Sequence, residues 1–382
     1  MAKQVFFGTL VHTPALNEIE YLHNTAAAVD ETGTIVALES LPSEDSSDGD
    51  GSGDGSGAVQ TPRRDGPAWI RATLLPRLGW AADDVAITAI RSGQFFFPGF
   101  IDTHLHASQY PNVGLFGKTT LLDWLTTYTF PLEASLADLA KARRVYRRCV
   151  RTTLAHGTTT AAYYATVDVA ATNLLADLCL AAGQRALVGR TILAHAVHLT
   201  AAEAALVRRR GSKVSHCPCS NSAITSGAAR VRWLLDQQID VGLGTDMSGE
   251  RAGGGAAGQP HTETDDRAKL SVEEVLYLAT AGGARVVGLA DRVGRFAVGL
   301  AWDAQLIGLT TVDAEGGTGR ADDDGGEDNN DDETTNVDIF GWETWSERVA
   351  KWLFNGDDRN TKKVWVNGRL VHDRAAPGGV PV

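Results

Sequence analysis

The segment PGFIDTHLHASQY, Pro98 to Tyr110, decides how this chain is read. It follows the apolar run Gly93–Phe97, breaks at Pro98-Gly99, resumes at Phe100-Ile101 and ends in Asp102-Thr103-His104-Leu105-His106. Residues two apart in an extended segment point to the same face. His104 and His106 therefore present two imidazoles side by side, as a divalent metal requires. Two unrelated surface histidines are the plainer reading of a bare His-x-His. The hydrophobic strand before the pair and the polar turn after it weigh against that reading.

Around this segment lie 382 residues, 43% of them hydrophobic, enough for one large domain or a domain with a smaller companion. The formal net charge of -12 is localised, with five acids and no base in residues 43–57 and eight acids and no base in 321–335. Setting those runs aside leaves the remainder near neutral, so no basic nucleic-acid face is expected. The four cysteines, Cys149, Cys179, Cys217 and Cys219, form no C-x-x-C pair and read as free thiols in a reducing compartment. The N-terminus lacks a signal-type apolar run, and no apolar stretch reaches membrane-spanning length. A cytoplasmic protein without a membrane partner is the expectation.

The pattern of elements changes along the chain. Gln4–Val11, Ala26–Val29 and Thr34–Leu38 read as strands, and residues 67–97 as further strand-like material including Ile87–Ile90. Residues 42–66 and 311–336, which contain the acidic runs, read as disordered inserts. From residue 97, apolar runs at Thr158–Tyr164, Arg185–Val188, Ile192–Ala196, Lys213–His216 and Asp240–Leu243 alternate with helical stretches such as Leu136–His156 and Ala170–Ala182. Such alternation predicts parallel βα units. A further helix is expected over Ser271–Val287, and a hairpin over Lys363–Val371 with Asn367-Gly368 at its turn. The predicted layout is an α/β barrel over 97–310. A small β-sandwich is built from 1–96 and 337–382, the latter also carrying a helix.

In a βα barrel the C-terminal strand ends share one face, and chemistry is built there. Ile192-Leu193-Ala194-His195 and Val214-Ser215-His216 close apolar strands with a histidine, and Val241-Gly242-Leu243-Gly244-Thr245-Asp246 closes one with an aspartate. One such histidine is commonly structural; several positions of this kind together are harder to dismiss. His156, before Gly157, reads as a helix cap, and His198 as a surface residue.

PGFIDTHLHASQY, LLDWLTTYTFPLE, GTTTAAYYAT, SHCPCSNS, GLGTDMSG and GDDRNTKKVWVNG together resemble the guanine deaminase family of the amidohydrolase superfamily. The resemblance extends over most of the chain outside the two acidic inserts. It implies a TIM (β/α)8 barrel of amidohydrolase type, a zinc ion and the hydrolysis of guanine to xanthine and ammonia. His104, His106 and Asp246 match metal ligands, and Asp246 also matches the group that takes a proton from the attacking water. His195 matches a histidine that contacts that water. Gln109 matches a purine hydrogen-bonding residue, and His106, Ala107 and Ser108 adjoin it on the substrate side. His216 is a weaker site candidate. A homodimer is the family's usual assembly.

The chain also departs from that family. From Phe97 to Asp246 is about 150 residues, where a complete barrel takes about 250. Arg185–Arg190 resembles the third barrel strand and Ile192–His195 the sixth, with Thr191 alone between them, whereas parallel neighbours need a crossover of about a dozen residues or more. The family segment absent here holds a third histidine ligand and a proton-shuttling glutamate in a SHxxE-type strand, and no His-x-x-Glu occurs in the chain. Two central βα units are therefore expected to be missing, and activity to be lost or impaired. A non-catalytic, partner-binding relative is the alternative.

Overall fold

The structure, a computed structural model, describes residues 1–42, 63–115, 120–188, 192–223, 226–247, 269–312 and 335–376. Its strands begin with β1 (Lys3–His12), β2 (Glu20–Val29), β3 (Ile35–Ser40), β4 (Val85–Ala89) and β5 (Gln94–Pro98). Next come β6 (Phe100–Leu105), β7 (Thr158–Tyr163), β8 (Arg185–Val188), β9 (Leu193–Ala194), β10 (Val214–His216) and β11 (Val241–Leu243). The chain closes with β12 (Ala304–Gly308), β13 (Thr310–Thr311), β14 (Asp338–Ile339), β15 (Thr361–Val366) and β16 (Arg369–Asp373). Two compact units result: one from Met1–Pro14, Ile19–Pro98 and the chain from Arg295 onward, the other centred on Gly99–Gly294.

In the first unit the order is β16-β15-β12-β5-β1-β2-β3, with β4 also paired to β1. The two faces follow the period-two rule. Phe6 and Leu10 join Ala27, Val29, Trp302 and Trp365 in one cluster, while Val5 and Phe7 join Ala26 and Ala28 in another. A small β-sandwich is expected here; beside this eight-stranded sheet, β13 pairs parallel with β14 in a separate two-stranded one. β1 belongs to both halves: Lys3–Phe7 pairs with β4, Leu10 pairs with β5, and a bulge between Gly8 and Leu10 re-aims the strand. The sheet curls enough for the Asn367 side-chain amide to donate to the Thr32 carbonyl at 2.6 Å and for Thr34 to bridge Ala301. At the β15–β16 turn, Asn367 and Gly368 take φ of 50° and 74°, the positive values a tight hairpin demands.

Three sequence expectations are corrected in this unit. Strand-like material is expected from residue 67, yet Gly66–Trp69, Ile70–Leu74 and Leu75–Leu78 are helical. Ile70, Leu74 and Leu75 recur at helical spacing and cover the Val5–Phe7 face. The insert at 42–66 ends earlier than expected, because the Arg63 amide already bonds Asn24 Oδ1 at 2.8 Å; 43–62 lie outside the described residues, as do 313–334 of the second insert. The barrel, expected to run to 310, gives up β12, which pairs antiparallel with β5. Its fully buried AQLIG run reads from sequence like a barrel strand.

The second unit holds two parallel three-stranded sheets, β6-β7-β8 and β11-β10-β9, in a TIM-barrel-type α/β arrangement. Every residue of β7 is buried, as in a parallel strand covered on both faces. The Leu139–Ala155 helix starts at an Asp138 cap, buries Ala142, Val145, Tyr146, Cys149, Val150 and Thr153 on one stripe, and stops at His156. The expected Ser271–Val287 helix is broken at Thr280 into Val272–Ala279 and Ala281–Val286. β11 adjoins β6: the Asp246 amide donates to the His104 carbonyl at 2.8 Å, and Thr103 Oγ1 donates to the Leu243 carbonyl at 2.8 Å. Among the described residues no ladder joins β8 to β9. Also among them, no helix is long and apolar enough to cross a membrane.

Candidate metal centre

The site starts from a sheet seam. Asp102, buried in β6, accepts from the His104 amide at 3.1 Å, the Thr245 amide at 3.0 Å and the Thr245 hydroxyl at 2.5 Å. Burial pushes its carboxyl up to about 6 against those bonds. Gly244 permits the close approach: a Cβ there would sit 2.5 Å from Ser215 Oγ and 2.7 Å from His104 Cβ. The chain then turns through positive φ at Asp246 (47°).

The seam brings His104, His106 and Asp246 together. The two Nε2 atoms lie 3.1 Å apart, with ring planes inclined at 81°. Asp246 Oδ1 is 3.2 Å from His104 Nε2 and 3.4 Å from His106 Nε2. Burial, reinforced by the neighbouring His104, pushes His106 down to about 4, so it is neutral at physiological pH, as a ligand must be. Burial opposes charge on Asp246, but the bond and charge of His104, the charge of His106 and a bond from Ser220 outweigh it and hold the carboxyl below its usual range. The potential ligand atoms of these three residues all lie within 4.8 Å of one another, and His104 Nδ1 is buried without a hydrogen-bond partner. Two imidazoles and a carboxylate suit zinc or a similar divalent ion.

His195 follows β9 at φ 67°, and its Nε2 lies 3.6 Å from Asp246 Oδ2. Its Nδ1 pairs with Asn221 Oδ1 at 2.8 Å, an oxygen that accepts, while Nε2 faces the carboxylate. Gln109 lies 3.5 Å from His106 Nδ1, and its amide donates to Glu133 Oε1 at 2.9 Å. Ser108 donates to the same oxygen at 2.9 Å, and Ala107 is fully buried beside it. His216 is buried at the end of β10 but belongs to neither convergent donor group among the described residues. His156 caps its helix through Nδ1 and the Thr152 carbonyl, and His198 is exposed.

Four neighbours escape the sequence reading. Glu133 anchors Ser108 and Gln109, Asn221 orients His195, the Tyr164 ring lies 4.1 Å from that of His104 at a tilt of 57°, and Cys217 forms a second donor group with His104 and His195. Glu133, Asn221 and Cys217 lie inside motifs already singled out, TFPLE and SHCPCSNS, and Tyr164 directly follows a strand. Strand-end position is the signal that was available for Tyr164 and Cys217.

The sequence model of the Amidohydrolase family matches residues 95–191 and 187–371. A probable guanine deaminase from Schizosaccharomyces pombe is 33% identical over 486 aligned positions, spanning 96% of this chain and 83% of the relative. The guanine deaminase structure from E. coli superimposes with TM-score 0.72 at 18% identity, covering 97% of this chain and 100% of that one. An adenosine deaminase structure from Xanthomonas campestris with bound zinc gives 0.65 at 17% identity, covering 96% of this chain and 92% of that one. The two structures are evidence for the fold. Convergent imidazoles and a carboxylate at parallel strand ends are the mark of a βα-barrel hydrolase with a metal centre. The chain belongs to the amidohydrolase family, in its guanine deaminase group.

Proposed function

We propose that the activity of this lineage, hydrolytic deamination of guanine to xanthine and ammonia, is the one for which this site is built. The observation that carries it is the convergence of His104, His106 and Asp246 beside Gln109, in a chain one-third identical to a guanine deaminase. A zinc ion bound there supplies Lewis acidity and lowers the pKa of a water at the site. Asp246, held below the usual carboxylate range, stays ionised at neutral pH and can take up a proton. His195, held by Asn221, turns Nε2 toward Asp246. Gln109, steadied by Glu133, lies at the His106 rim where it can hydrogen-bond a purine. Persistence of these side chains together favours a hydrolase over a non-catalytic scaffold.

We further propose that two βα units are absent between β8 and β9, and that turnover by this chain is impaired. Three observations support this. The family match falls into two segments that meet at 187–191. The alignment with the S. pombe relative needs 486 positions for a chain of 382 residues. The described strands β8 and β9, four residues apart, sit in different sheets. The family's third histidine and glutamate would lie in that gap. The test is zinc-dependent xanthine formation by the purified chain, alongside full-length transcript sequencing across the codons for Val188 to Ala194. Robust turnover would overturn the impairment. Extra in-frame coding sequence in the transcripts would assign the activity to a longer form.

A further inference from the structure

We infer that Cys217 is a metal ligand of this chain, in a donor set with His104 and His195 that shares His104 with the His104–His106–Asp246 set. The inference rests on reading these strand ends as a metal centre and names a ligand beyond it. The potential ligand atoms of His104, His195 and Cys217 all lie within 4.8 Å of one another. Cys217 directly follows β10 and is fully buried, and its sulfur makes long contacts with the Ser215 hydroxyl and carbonyl, both at 3.8 Å. His195 is already oriented as a ligand would be, with Nδ1 engaged by Asn221 and Nε2 available. His104 stands between the two sets, its Nδ1 buried and without a partner.

The chemistry is consistent. A tetrahedral divalent site accepts nitrogen, oxygen and sulfur donors in mixture, and thiolate is the strongest of them for zinc and its softer analogues. Cys217, beside His104 and His195, supplies a buried sulfur donor without any donor from the stretch between β8 and β9. As the metal–sulfur bond forms, the S–H bond breaks and its proton leaves to solvent. In the metal-free chain, burial and the nearby Asp246 carboxylate keep Cys217 a thiol.

Cobalt(II) reads this directly, because a thiolate ligand adds an intense near-ultraviolet charge-transfer band to the visible bands of the ion. The whole chain, loaded with cobalt(II), is expected to show that band. Cys217→Ser, close to isosteric, should lose it while retaining the visible bands, and Cys219→Ser should keep it. Visible bands without charge transfer in the parent, or charge transfer surviving Cys217→Ser, overturns the inference while leaving the metal centre intact. No cobalt uptake at all overturns both. Cadmium-113 NMR of the unsubstituted chain gives the same answer independently of variant folding: a strongly deshielded resonance indicates sulfur ligation, and one in the nitrogen–oxygen range excludes it.

Discussion

Asp246 is joined to His104 twice: its amide donates to the His104 carbonyl at 2.8 Å, and its Oδ1 lies 3.2 Å from His104 Nε2. The backbone bond sets the register of β11 on β6, and the side-chain contact completes the donor set. The two can be separated. Asp246→Asn keeps the backbone bond and removes the charge. Zinc affinity should fall by about 10-fold or more, the low end of what loss of an outer partner costs, while thermal unfolding of the metal-free chain changes little. Zinc per chain after equilibrium dialysis, with calorimetric melting, checks both. Unchanged zinc binding would remove Asp246 from the ligand set.

The same seam depends on Gly244. A methyl group there meets Ser215 Oγ and His104 Cβ at 2.5 and 2.7 Å, so Gly244→Ala has to push β11 away from β6. Overpacking of this kind costs roughly 1–3 kcal/mol. Urea unfolding should show that loss, and zinc binding should weaken in parallel because Asp246 moves with the strand. A variant as stable as the parent would mean that the seam yields freely.

Turnover should be low for a reason separable from metal binding. A placed general acid/base contributes roughly 10²–10⁴-fold, and no His-x-x-Glu exists in this chain to supply the family's group. The zinc-loaded chain is expected to form xanthine at no more than about one-hundredth of the rate of a full-length relative assayed alongside. Equal rates would mean that another side chain carries the proton.

Acid should weaken the terminal sheet unit through His12 and His23. Burial lowers the pKa of both; for His12, Glu20 pulls it partly back. A base whose folded pKa is depressed contributes stability above its ordinary pKa and loses it as pH falls toward the folded value. The structure supplies the cause, since His12 Nδ1 accepts from the Phe296 amide at 3.2 Å and cannot do so once protonated. Between pH 7.5 and 5 the urea midpoint should therefore drop, and His12→Asn should flatten the drop. An identical slope in parent and variant would rule His12 out as the titrating group.

The outer edge of β8 has no strand partner among the described residues, and Val188 at its end is 39% exposed. Unpaired edges invite pairing with another chain. Concentration-dependent self-association is expected by light scattering, and Val188→Lys should reduce it. Association that ignores this charge would point to a different surface.

Much of the site could be read locally. The two-residue spacing of His104 and His106 fixes their common face, and Asp246 and His195 fall at the ends of apolar runs. What could not be read was which strands adjoin. The AQLIG run of β12 is buried enough for a barrel strand, but its antiparallel partner β5 lies some two hundred residues away, outside any local pattern. Ile70, Leu74 and Leu75 carry a helical spacing that the surrounding strand-like stretches mask. Glu133 and Cys217 stand in recognisable motifs, yet nothing in their neighbours specifies that one bonds Gln109 and the other meets His195.

The sequence by itself determined the family, the two imidazoles on one strand face and the short path between Val188 and Leu193, because strand periodicity, motif spacing and chain length are local quantities. Only the tertiary structure decided that β11 lies against β6, that one curled sheet gathers both ends of the chain, and that Cys217 shares the site. These follow from packing and hydrogen bonds between residues far apart in sequence, where each partner is specified only once the other is in place.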